Sequence, residues 1–339
     1  MNQISENVSL KAYNTFGVDA NARYYASFGT ADELGELLEW AGSRRRLILG
    51  GGSNLLFTKD IDGIVLHNNI KGIEEVDEDE DYVYVRAGAG ENWAGFVEYC
   101  IGRDWAGLEN LSLIPGSVGA APMQNIGAYG VELESVFLDL DAWSLADGKE
   151  CTFTLGDCEF GYRDSIFKGR YRDQFVILRV TLRLKKVPIF HTSYGAIREE
   201  LQRMGVAGPS IRAISQAVIS IRKSKLPDPA KIGNAGSYFK NPTVPDAQFA
   251  QLLGKFPDIV GYPNPIEGRT KVAAGWMIEQ CGWKGYRRGD AGVHERQALV
   301  LVNYGNASGA EIYRLGGEIA ASVKQKFGVT LEREVNAAP

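Results

Sequence analysis

The stretch Gly233-Asn234-Ala235-Gly236-Ser237-Tyr238-Phe239-Lys240-Asn241-Pro242 decides how the chain is interpreted. Its glycines and alanine leave room for a large flat group to approach the main chain. A serine, a lysine and an asparagine offer a hydroxyl, a fixed charge and an amide within five residues. A tight turn is the alternative explanation, and the proline ends any continuing strand or helix. The stretch therefore indicates a functional loop only together with other segments.

Size and composition are those of a globular protein with more than one domain. The chain has 339 residues, of which 45% are hydrophobic and 23% are charged, and this is enough for two or three domains of roughly 100–200 residues. The formal net charge of -5 argues against nucleic-acid binding, because no domain-wide basic excess exists. No basic region followed by an apolar run opens the sequence, and no stretch approaches the roughly 20 apolar residues of a membrane span. We therefore expect no signal peptide, no membrane anchor and no nucleic-acid partner.

The cysteines and histidines point to neither disulfides nor a metal centre. Cys100, Cys151, Cys158 and Cys281 show no Cys-x-x-Cys spacing, so we expect buried thiols in a reducing cytoplasm. The three histidines are too scattered along the chain to predict a metal site.

The first region, residues 1–70, has the pattern of a small α/β subdomain. Residues 31–40 predict a helix, because their leucines recur on one face. Short apolar runs at 46–49 and 63–67 predict strands on either side of a glycine-rich loop. The acidic run 74–81 is predicted to be a solvated turn or linker.

The second region, residues 71–221, is predicted to be rich in strands. Apolar and polar residues alternate in three segments, namely 82–87, 136–143 and 175–184. Three further segments predict helices, namely 91–101, 193–204 and 210–222. The second of these helices lies in a predicted insertion at about 187–210.

The third region, residues 222–333, is predicted to be a separate α+β domain, after which residues 334–339 return to the first region. Residues 271–281 predict a helix ended by a glycine, and 297–302 predict a buried strand. Ser308 and Glu311 form a capping box that opens a helix to Phe327.

Gly50-Gly51-Gly52-Ser53-Asn54 follows a predicted strand. Consecutive glycines let successive backbone N–H groups turn toward one point, a nest suited to phosphate oxygens. The segment is neither a Walker loop nor a GxGxxG fingerprint, so it predicts neither an ATPase nor a Rossmann dehydrogenase. A tight turn between strand and loop is the alternative.

A second glycine-rich segment spans residues 114–130, with sequence IPGSVGAAPMQNIGAYG. It is small, rigid and almost uncharged, so its main chain could lie against a flat ring system. A buried crossover between strands is the alternative, but a second glycine-rich segment in one chain favours a dinucleotide ligand.

The segment 161–168, GYRDSIFK, carries Arg163 beside Asp164. An arginine fixed by that aspartate could stabilise a carboxylate or an enolate. A purely structural Arg–Asp pair is the alternative.

Taken together, these motifs resemble the bacterial UDP-N-acetylenolpyruvoylglucosamine reductases over nearly the whole chain. Nine motifs carry the resemblance in the same order: NTFG at 14–17, GGGSN at 50–54, IPGSVGAAP at 114–122, QNIGAYG at 124–130, YRDSIFK at 162–168, KLPDP at 225–229, NAGSYFKNP at 234–242, AAGWMIEQCG at 273–282 and LEREV at 331–335. The resemblance implies an α+β fold: a two-part FAD-binding unit of the vanillyl-alcohol oxidase / p-cresol methylhydroxylase type, followed by a third, substrate-binding domain. The predicted insertion resembles the longer, type I form of the enzyme.

The resemblance also implies roles for individual residues. Arg163, Ser237 and Glu334 match the catalytic residues, and Tyr194, Lys225, Asn241 and Gln297 match residues that hold the UDP-sugar. The predicted FAD contacts are Gly50, Gly51, Gly52, Ser53, Asn54, Leu55, Ile114, Pro115, Gly116, Ser117, Gly119, Ala120, Gln124, Asn125, Ile126, Gly127 and Ala128. No metal is implied.

The implied activity is NADPH-dependent reduction of an enolpyruvyl UDP-sugar through non-covalently bound FAD. That activity belongs to cytoplasmic peptidoglycan precursor synthesis, and so to cell-wall biogenesis, cell shape and cell division; a monomer is expected. Two alternatives remain open. One is another flavoprotein oxidase or dehydrogenase of the same fold, although neither glycine-rich loop has a histidine to tether the flavin. The other is a non-catalytic nucleotide-binding protein.

Overall fold

The structure, a computed structural model, describes residues 3–264 and 266–338. Its α-helices are α1 (Ala31–Ala41), α2 (Trp93–Gly102), α3 (Gly195–Arg203), α4 (Ile211–Lys225), α5 (Asp246–Lys255), α6 (Ala274–Gln280) and α7 (Gly309–Phe327). Short 3-10 helices lie at Lys11–Tyr13, Glu109–Leu111, Val118–Ala120, Pro122–Gln124 and Leu133–Ser135.

The strands of the amino-terminal half are β1 (Ser5–Ser9), β2 (Asn21–Phe28), β3 (Arg46–Leu49), β4 (Leu55–Phe57), β5 (Ile61–Asn68), β6 (Ile73–Glu78), β7 (Tyr82–Gly88), β8 (Gly127–Ala128), β9 (Val131–Glu132), β10 (Phe137–Ser144), β11 (Lys149–Thr154) and β12 (Phe175–Lys185). The remaining strands are β13 (Gly233–Asn234), β14 (Thr243–Pro245), β15 (Gly261–Pro263), β16 (Arg269–Val272), β17 (Arg287–Arg288), β18 (Ala291–Val293), β19 (Leu301–Asn303) and β20 (Asn336–Ala338).

The chain forms two compact units. The first contains the residues up to Val8 together with Ala22–Gly51 and Asp62–Ser224; the second contains Ser9–Asn21, Gly52–Ile61 and the residues from Lys225 onward. The predicted segments 1–70 and 71–221 thus fall mostly in the first unit, and 222–333 falls in the second apart from its first three residues. The two FAD-binding segments share one core, because Val176 and Leu178 of β12 pack in the same cluster as Leu34 of α1.

The first unit is built on two sheets. One has the strand order β1-β2-β5-β3, and the other has the order β11-β10-β12-β7-β6. Strands β3 and β5 pair in parallel, while β12 pairs antiparallel with both β10 and β7. Thr30 caps α1 by accepting a hydrogen bond from the Glu33 N–H, and the helix buries Leu34 and Leu37. These sheets position the two glycine-rich segments of the chain.

The second unit combines small sheets with α7. Its sheets have the orders β13-β19-β18-β17 and β14-β16-β15, and β20 pairs in parallel with β4. The predicted capping box of Ser308 and Glu311 is present, and Gly328 ends α7 with a left-handed φ of 69°. Local sequence signals therefore fix both ends of this helix correctly.

Three predicted elements are wrong or shifted. The acidic run 74–81 is not a linker, because Ile73–Glu78 pairs with β7 as an edge strand. The helix predicted from residue 271 begins at Ala274, because Arg269–Val272 pairs with β14 and β15 instead. The strand predicted from residue 297 begins at Leu301, because the Val300 N–H closes a turn onto the Gln297 carbonyl.

Candidate active site

The two predicted FAD loops touch each other within the first unit. A Cβ on Gly50 would lie 2.5 Å from the Ser117 Oγ, and one on Gly51 would lie 3.0 Å from the Gly116 Cα. The Gly51 N–H donates to that same serine hydroxyl at 3.3 Å. Glycine at both positions therefore lets the loops approach closely, with Gly51 against the main chain of Gly116 and Gly50 against the Ser117 hydroxyl.

The second loop is anchored on the residues that follow β7. The Gly119 N–H donates to the Ala89 carbonyl at 2.9 Å, and the Val118 N–H donates to the Glu91 carbonyl at 2.8 Å. A Cβ on Gly119 would lie 2.4 Å from the Ala89 Cβ. Farther along the loop, Asn125 is fully buried and donates to the Gly161 carbonyl at 3.2 Å. Gly119 is thus a position at which the loop packs closely against the residues that follow β7.

These two loops fit the FAD that the sequence predicts. Glycines and a serine form the contact between the loops, so no bulky side chain stands at this point. Peptide N–H groups in such turns suit phosphate oxygens and the polar edge of a flavin ring.

The rest of the first loop, from Gly52 onward, belongs to the second unit. Gly52 has a φ of 60°, and a Cβ there would lie 2.0 Å from the Tyr13 carbonyl oxygen. The Thr15 N–H donates to the Gly52 carbonyl at 3.1 Å. The Asn54 side chain donates to the Glu334 carbonyl at 3.2 Å. A predicted FAD residue and a predicted catalytic residue are therefore joined directly.

Arg163 is attached to the second FAD loop. Its Nη2 donates to the Gly127 carbonyl at 2.6 Å, and its Nη1 lies 3.9 Å from the Glu132 carboxylate. Its main chain has a φ of 55°, a left-handed conformation that favours glycine and marks functional sites when another residue adopts it. Glu132 is therefore a partner of Arg163 that the sequence did not indicate. Asp164, the partner that the sequence suggested, accepts a hydrogen bond from the Ser165 N–H at 3.0 Å.

Ser237 and Glu334 lie on two chain segments that pair with each other. The Glu334 N–H donates to the carbonyl of Tyr238 at 2.9 Å, and the Lys240 N–H donates to the carbonyl of Glu332 at 2.9 Å. The side chains of Lys240 and Glu332 form an ion pair at 2.7 Å. Two predicted catalytic residues that are distant in sequence are thus neighbours within the second unit.

Asn241 and Gln297 both lie at the start of α6. The Asn241 Oδ1 accepts a hydrogen bond from the Ala274 N–H at 3.0 Å. The Gln297 Oε1 accepts one from the Leu299 N–H at 3.4 Å, and a Cβ on Gly275 would lie 3.3 Å from it. Both predicted substrate residues therefore border one helix end in the unit that holds Ser237.

The other two predicted substrate residues lie on exposed segments. Tyr194 precedes α3, is 48% exposed and packs edge-on against Tyr129, with ring centroids 5.5 Å apart. Lys225 is the exposed last residue of α4. Exposure suits residues that contact a ligand arriving from solvent.

Two further residues, Asn234 and Arg222, have roles that the sequence did not indicate. Asn234 is 2% exposed and holds the serine loop by donating to the carbonyls of Pro227 and Ile232. Arg222 donates to the Leu113 carbonyl at 3.2 Å. Burial, together with the charge of Arg163, holds the pKa of Arg222 below its ordinary value. Nothing in the sequence separates this half-buried arginine from a solvated one at a helix end.

Within residues 3–264 and 266–338, no group of three or more His, Cys, Asp and Glu side chains is placed to hold a metal ion. In the same residues, no helix is both long enough and apolar enough to span a membrane.

Comparison with known sequences identifies both parts of the chain. Residues 22–154 match the FAD binding domain family. Residues 228–338 match the family described as UDP-N-acetylenolpyruvoylglucosamine reductase, C-terminal domain. The UDP-N-acetylenolpyruvoylglucosamine reductase of Amoebophilus asiaticus is 52% identical over 98% of both chains. The one from Pseudomonas aeruginosa is 50% identical, also over 98% of both.

The chain belongs to the UDP-N-acetylenolpyruvoylglucosamine reductase family. The crystal structure of the UDP-N-acetylenolpyruvylglucosamine reductase from Thermus caldophilus is similar to this chain over 100% of both, with a TM-score of 0.70 and 24% sequence identity. The predicted family, the predicted fold of a two-part FAD-binding unit with a third domain, and the predicted FAD cofactor are therefore confirmed.

Proposed function

We propose that the protein reduces the enolpyruvyl group of UDP-N-acetyl-3-O-(1-carboxyvinyl)glucosamine with NADPH to give UDP-N-acetylmuramate. The observation that carries this proposal is the pairing of the Ser237 and Glu334 segments, through the Glu334 N–H and the Tyr238 carbonyl. This main-chain pairing supports the proposal because it brings together the segments that carry a hydroxyl and a carboxyl group, the two kinds of group that could protonate a carbon next to a carboxylate and stabilise its charge. The family membership supplies the substrate.

The reaction adds one hydride and one proton across a carbon–carbon double bond. The chemistry that bound FAD would supply is two-electron transfer from NADPH to the terminal methylene carbon, which becomes a methyl group. Negative charge then develops on the adjacent carbon and its carboxylate. NADP⁺ and the saturated lactyl ether are the products, so hydrogen atoms and electrons balance.

The residues of the chain have three roles in this scheme. Arg163, held by Gly127 and Glu132, stabilises the developing carboxylate charge. Glu334 in its protonated form donates a hydrogen bond to the same enolate-like species. The Ser237 hydroxyl gives its proton to the carbon, which is possible for so weak an acid only because that carbon is strongly basic and held close.

The remaining polar residues bind the nucleotide part of the substrate. We assign Lys225 and Tyr194 to the diphosphate, and Asn241 and Gln297 to the UDP-sugar. Binding energy gained far from the reacting carbon positions the double bond. Because NADPH and UDP-sugars are cytoplasmic metabolites, we place the protein in the cytoplasm, in the synthesis of cell-wall precursors that cell shape and division require.

The test measures the two half-reactions, flavin reduction by NADPH and flavin re-oxidation by the substrate, separately in the variant Ser237→Ala. NADPH should bleach the flavin at the wild-type rate, because this step needs no proton from Ser237. Re-oxidation by the enolpyruvyl substrate should slow by about 10²–10³, the usual effect of losing one group that acts in the transition state. Exposed Ser43 gives the control Ser43→Ala. Wild-type turnover in Ser237→Ala would remove the serine from the proton-donor role.

We also propose that the FAD is bound without a covalent link. The predicted loops 50–54 and 114–128 contain no histidine or cysteine to which the flavin could be attached. Acid precipitation should therefore release all of the flavin into the supernatant. Yellow colour that stays with the protein pellet would contradict this assignment.

A further inference from the structure

Arg333 lies between Glu332 and Glu334 in the sequence, but its side chain contacts other residues than theirs do. Its guanidinium carbon lies 4.2 Å from the centre of the Tyr313 ring on α7. The Tyr238 ring packs against Gly316, one turn farther along the same helix, and Arg333 is close enough to its hydroxyl to lower its pKa. In an extended segment, successive side chains point to opposite sides. Arg333 is therefore placed to affect Glu334 through the main chain and not by touching the substrate.

Tyr238 is a fixed anchor for this contact. Its side chain is 1% exposed, and its ring lies so close to α7 that a Cβ on Gly316 would be 2.4 Å from the Tyr238 Cε1. Burial raises the pKa of Tyr238 to about 12, although Arg333 opposes the shift. The hydroxyl is thus neutral at ordinary pH, and it lies beside the helix on which Arg333 covers the Tyr313 ring.

The main chain of the same tyrosine connects the two predicted reacting groups. Tyr238 follows Ser237 directly, and its carbonyl accepts the hydrogen bond from the Glu334 N–H. Its own N–H donates to the Leu299 carbonyl at 2.8 Å. The pairing between the two segments is short, with one bridge between Phe239 and Arg333. Side-chain contacts across so short a pairing, the Lys240–Glu332 ion pair included, help to fix its register.

We propose that Arg333, through Tyr238 and Tyr313, is a positioning residue that sets Glu334 against Ser237. This Arg333 clamp rests on the proposed function, because it assigns Arg333 to the proton-delivery half of that reaction. Loss of the clamp affects flavin re-oxidation by the substrate and leaves flavin reduction by NADPH unchanged.

The first test compares Arg333→Met with Arg314→Met, which removes an exposed arginine of α7 that is outside the contact. Both variants are purified with FAD and followed by stopped-flow absorbance. Arg333→Met should be reduced by NADPH at the wild-type rate and re-oxidised by the substrate about tenfold more slowly, equivalent to about 1.4 kcal/mol. Arg314→Met should match wild type in both steps.

A double-mutant cycle with Tyr238→Phe tests whether the two residues act as one unit. This change removes a single oxygen atom and keeps the ring, so it carries the same expectation if Arg333→Met does not fold. The double variant should be no slower than the slower single variant. Arg333→Lys, which keeps a cation and a donor, should recover part of the rate, which a purely structural loss would not require.

Each contrary outcome has a separate meaning. If the substrate fails to re-oxidise the reduced flavin of the wild-type protein, the proposed function is overturned and the clamp with it. Wild-type turnover with equal rates in Arg333→Met and Arg314→Met would overturn the clamp alone. Rate losses that add up in the double variant would also overturn it, because Arg333 and Tyr238 would then act independently.

Discussion

Gly119→Ala tests whether the second glycine-rich loop depends on its contact with the chain after β7. The new Cβ would lie 2.4 Å from the Ala89 Cβ and 3.0 Å from the Ala89 Cα. Carbon atoms at an optimal separation are about 3.5–4.0 Å apart, so the loop must move by roughly 1 Å. The atoms in the way belong to the main chain and a Cβ, so no side-chain rotation relieves the clash.

The expected cost follows from two terms. Overpacking of this kind costs about 1–3 kcal/mol. The movement also stretches the 2.9 Å hydrogen bond from the Gly119 N–H to the Ala89 carbonyl, which contributes about 1 kcal/mol. The free energy of unfolding of the first unit should therefore fall by about 2–4 kcal/mol. FAD affinity should fall at least tenfold if the displaced loop loses one hydrogen bond of about 1.4 kcal/mol to the cofactor.

The assay is urea unfolding with and without FAD, together with the flavin-to-protein ratio after purification. The matched control is Gly95→Ala in α2, where the nearest atom to a new Cβ is the Asn92 Oδ1 at 3.7 Å. Alanine is the better helix former by up to about 1 kcal/mol, so this control should be as stable as wild type or more stable. Unchanged unfolding and a full flavin content in Gly119→Ala would refute the packing argument.

Two other results follow from the site and from the thiols. Lys225→Met should raise the substrate KM by about tenfold to a hundredfold with little change in kcat, the effect of losing one charged hydrogen bond of about 1.5–3 kcal/mol; a normal KM with a low kcat would contradict contact with the diphosphate. Alkylation of the native protein followed by mass spectrometry should modify Cys151 and Cys281 before Cys100 and Cys158, which are buried. Burial raises the pKa of Cys158 to about 12, so its thiol should remain protonated and slow to react even at pH 9, the ordinary pKa of the group, and early labelling there would contradict the burial.

Elements whose signals are local could be predicted from the sequence. Both ends of α7 follow from Ser308, Glu311 and Gly328, because a capping box and a left-handed glycine act within a few residues. The acidic strand β6 could not be predicted in this way. Its side chains are mostly exposed, so its composition is that of a solvated turn, and only its pairing with β7 makes it a strand.

The same limit applies to the site. Residue types and motif order indicated Ser237 and Glu334, but their proximity depends on main-chain pairing between segments far apart in sequence. No role could be predicted for Arg222 or Asn234, because single polar residues carry no periodic signal. Asn234 is buried and Arg222 is half-buried, and both environments depend on the tertiary fold.

The proposed reaction divides its residues between two compact units, and this division predicts how variants should behave. Arg163 is held by the FAD loop through Gly127 and Glu132, all within the first unit. Ser237 and Glu334 are held to each other within the second. A change at Arg333 should therefore disturb the proton donor and the carboxyl group together and leave Arg163 as it is. By the same reasoning, Glu132→Gln should weaken charge stabilisation at Arg163 without altering the coupling between Arg333 and Tyr238, because neither of these two residues belongs to the unit that holds Glu132. A strong non-additive effect between Glu132→Gln and Arg333→Met would show that the two groups are not held independently.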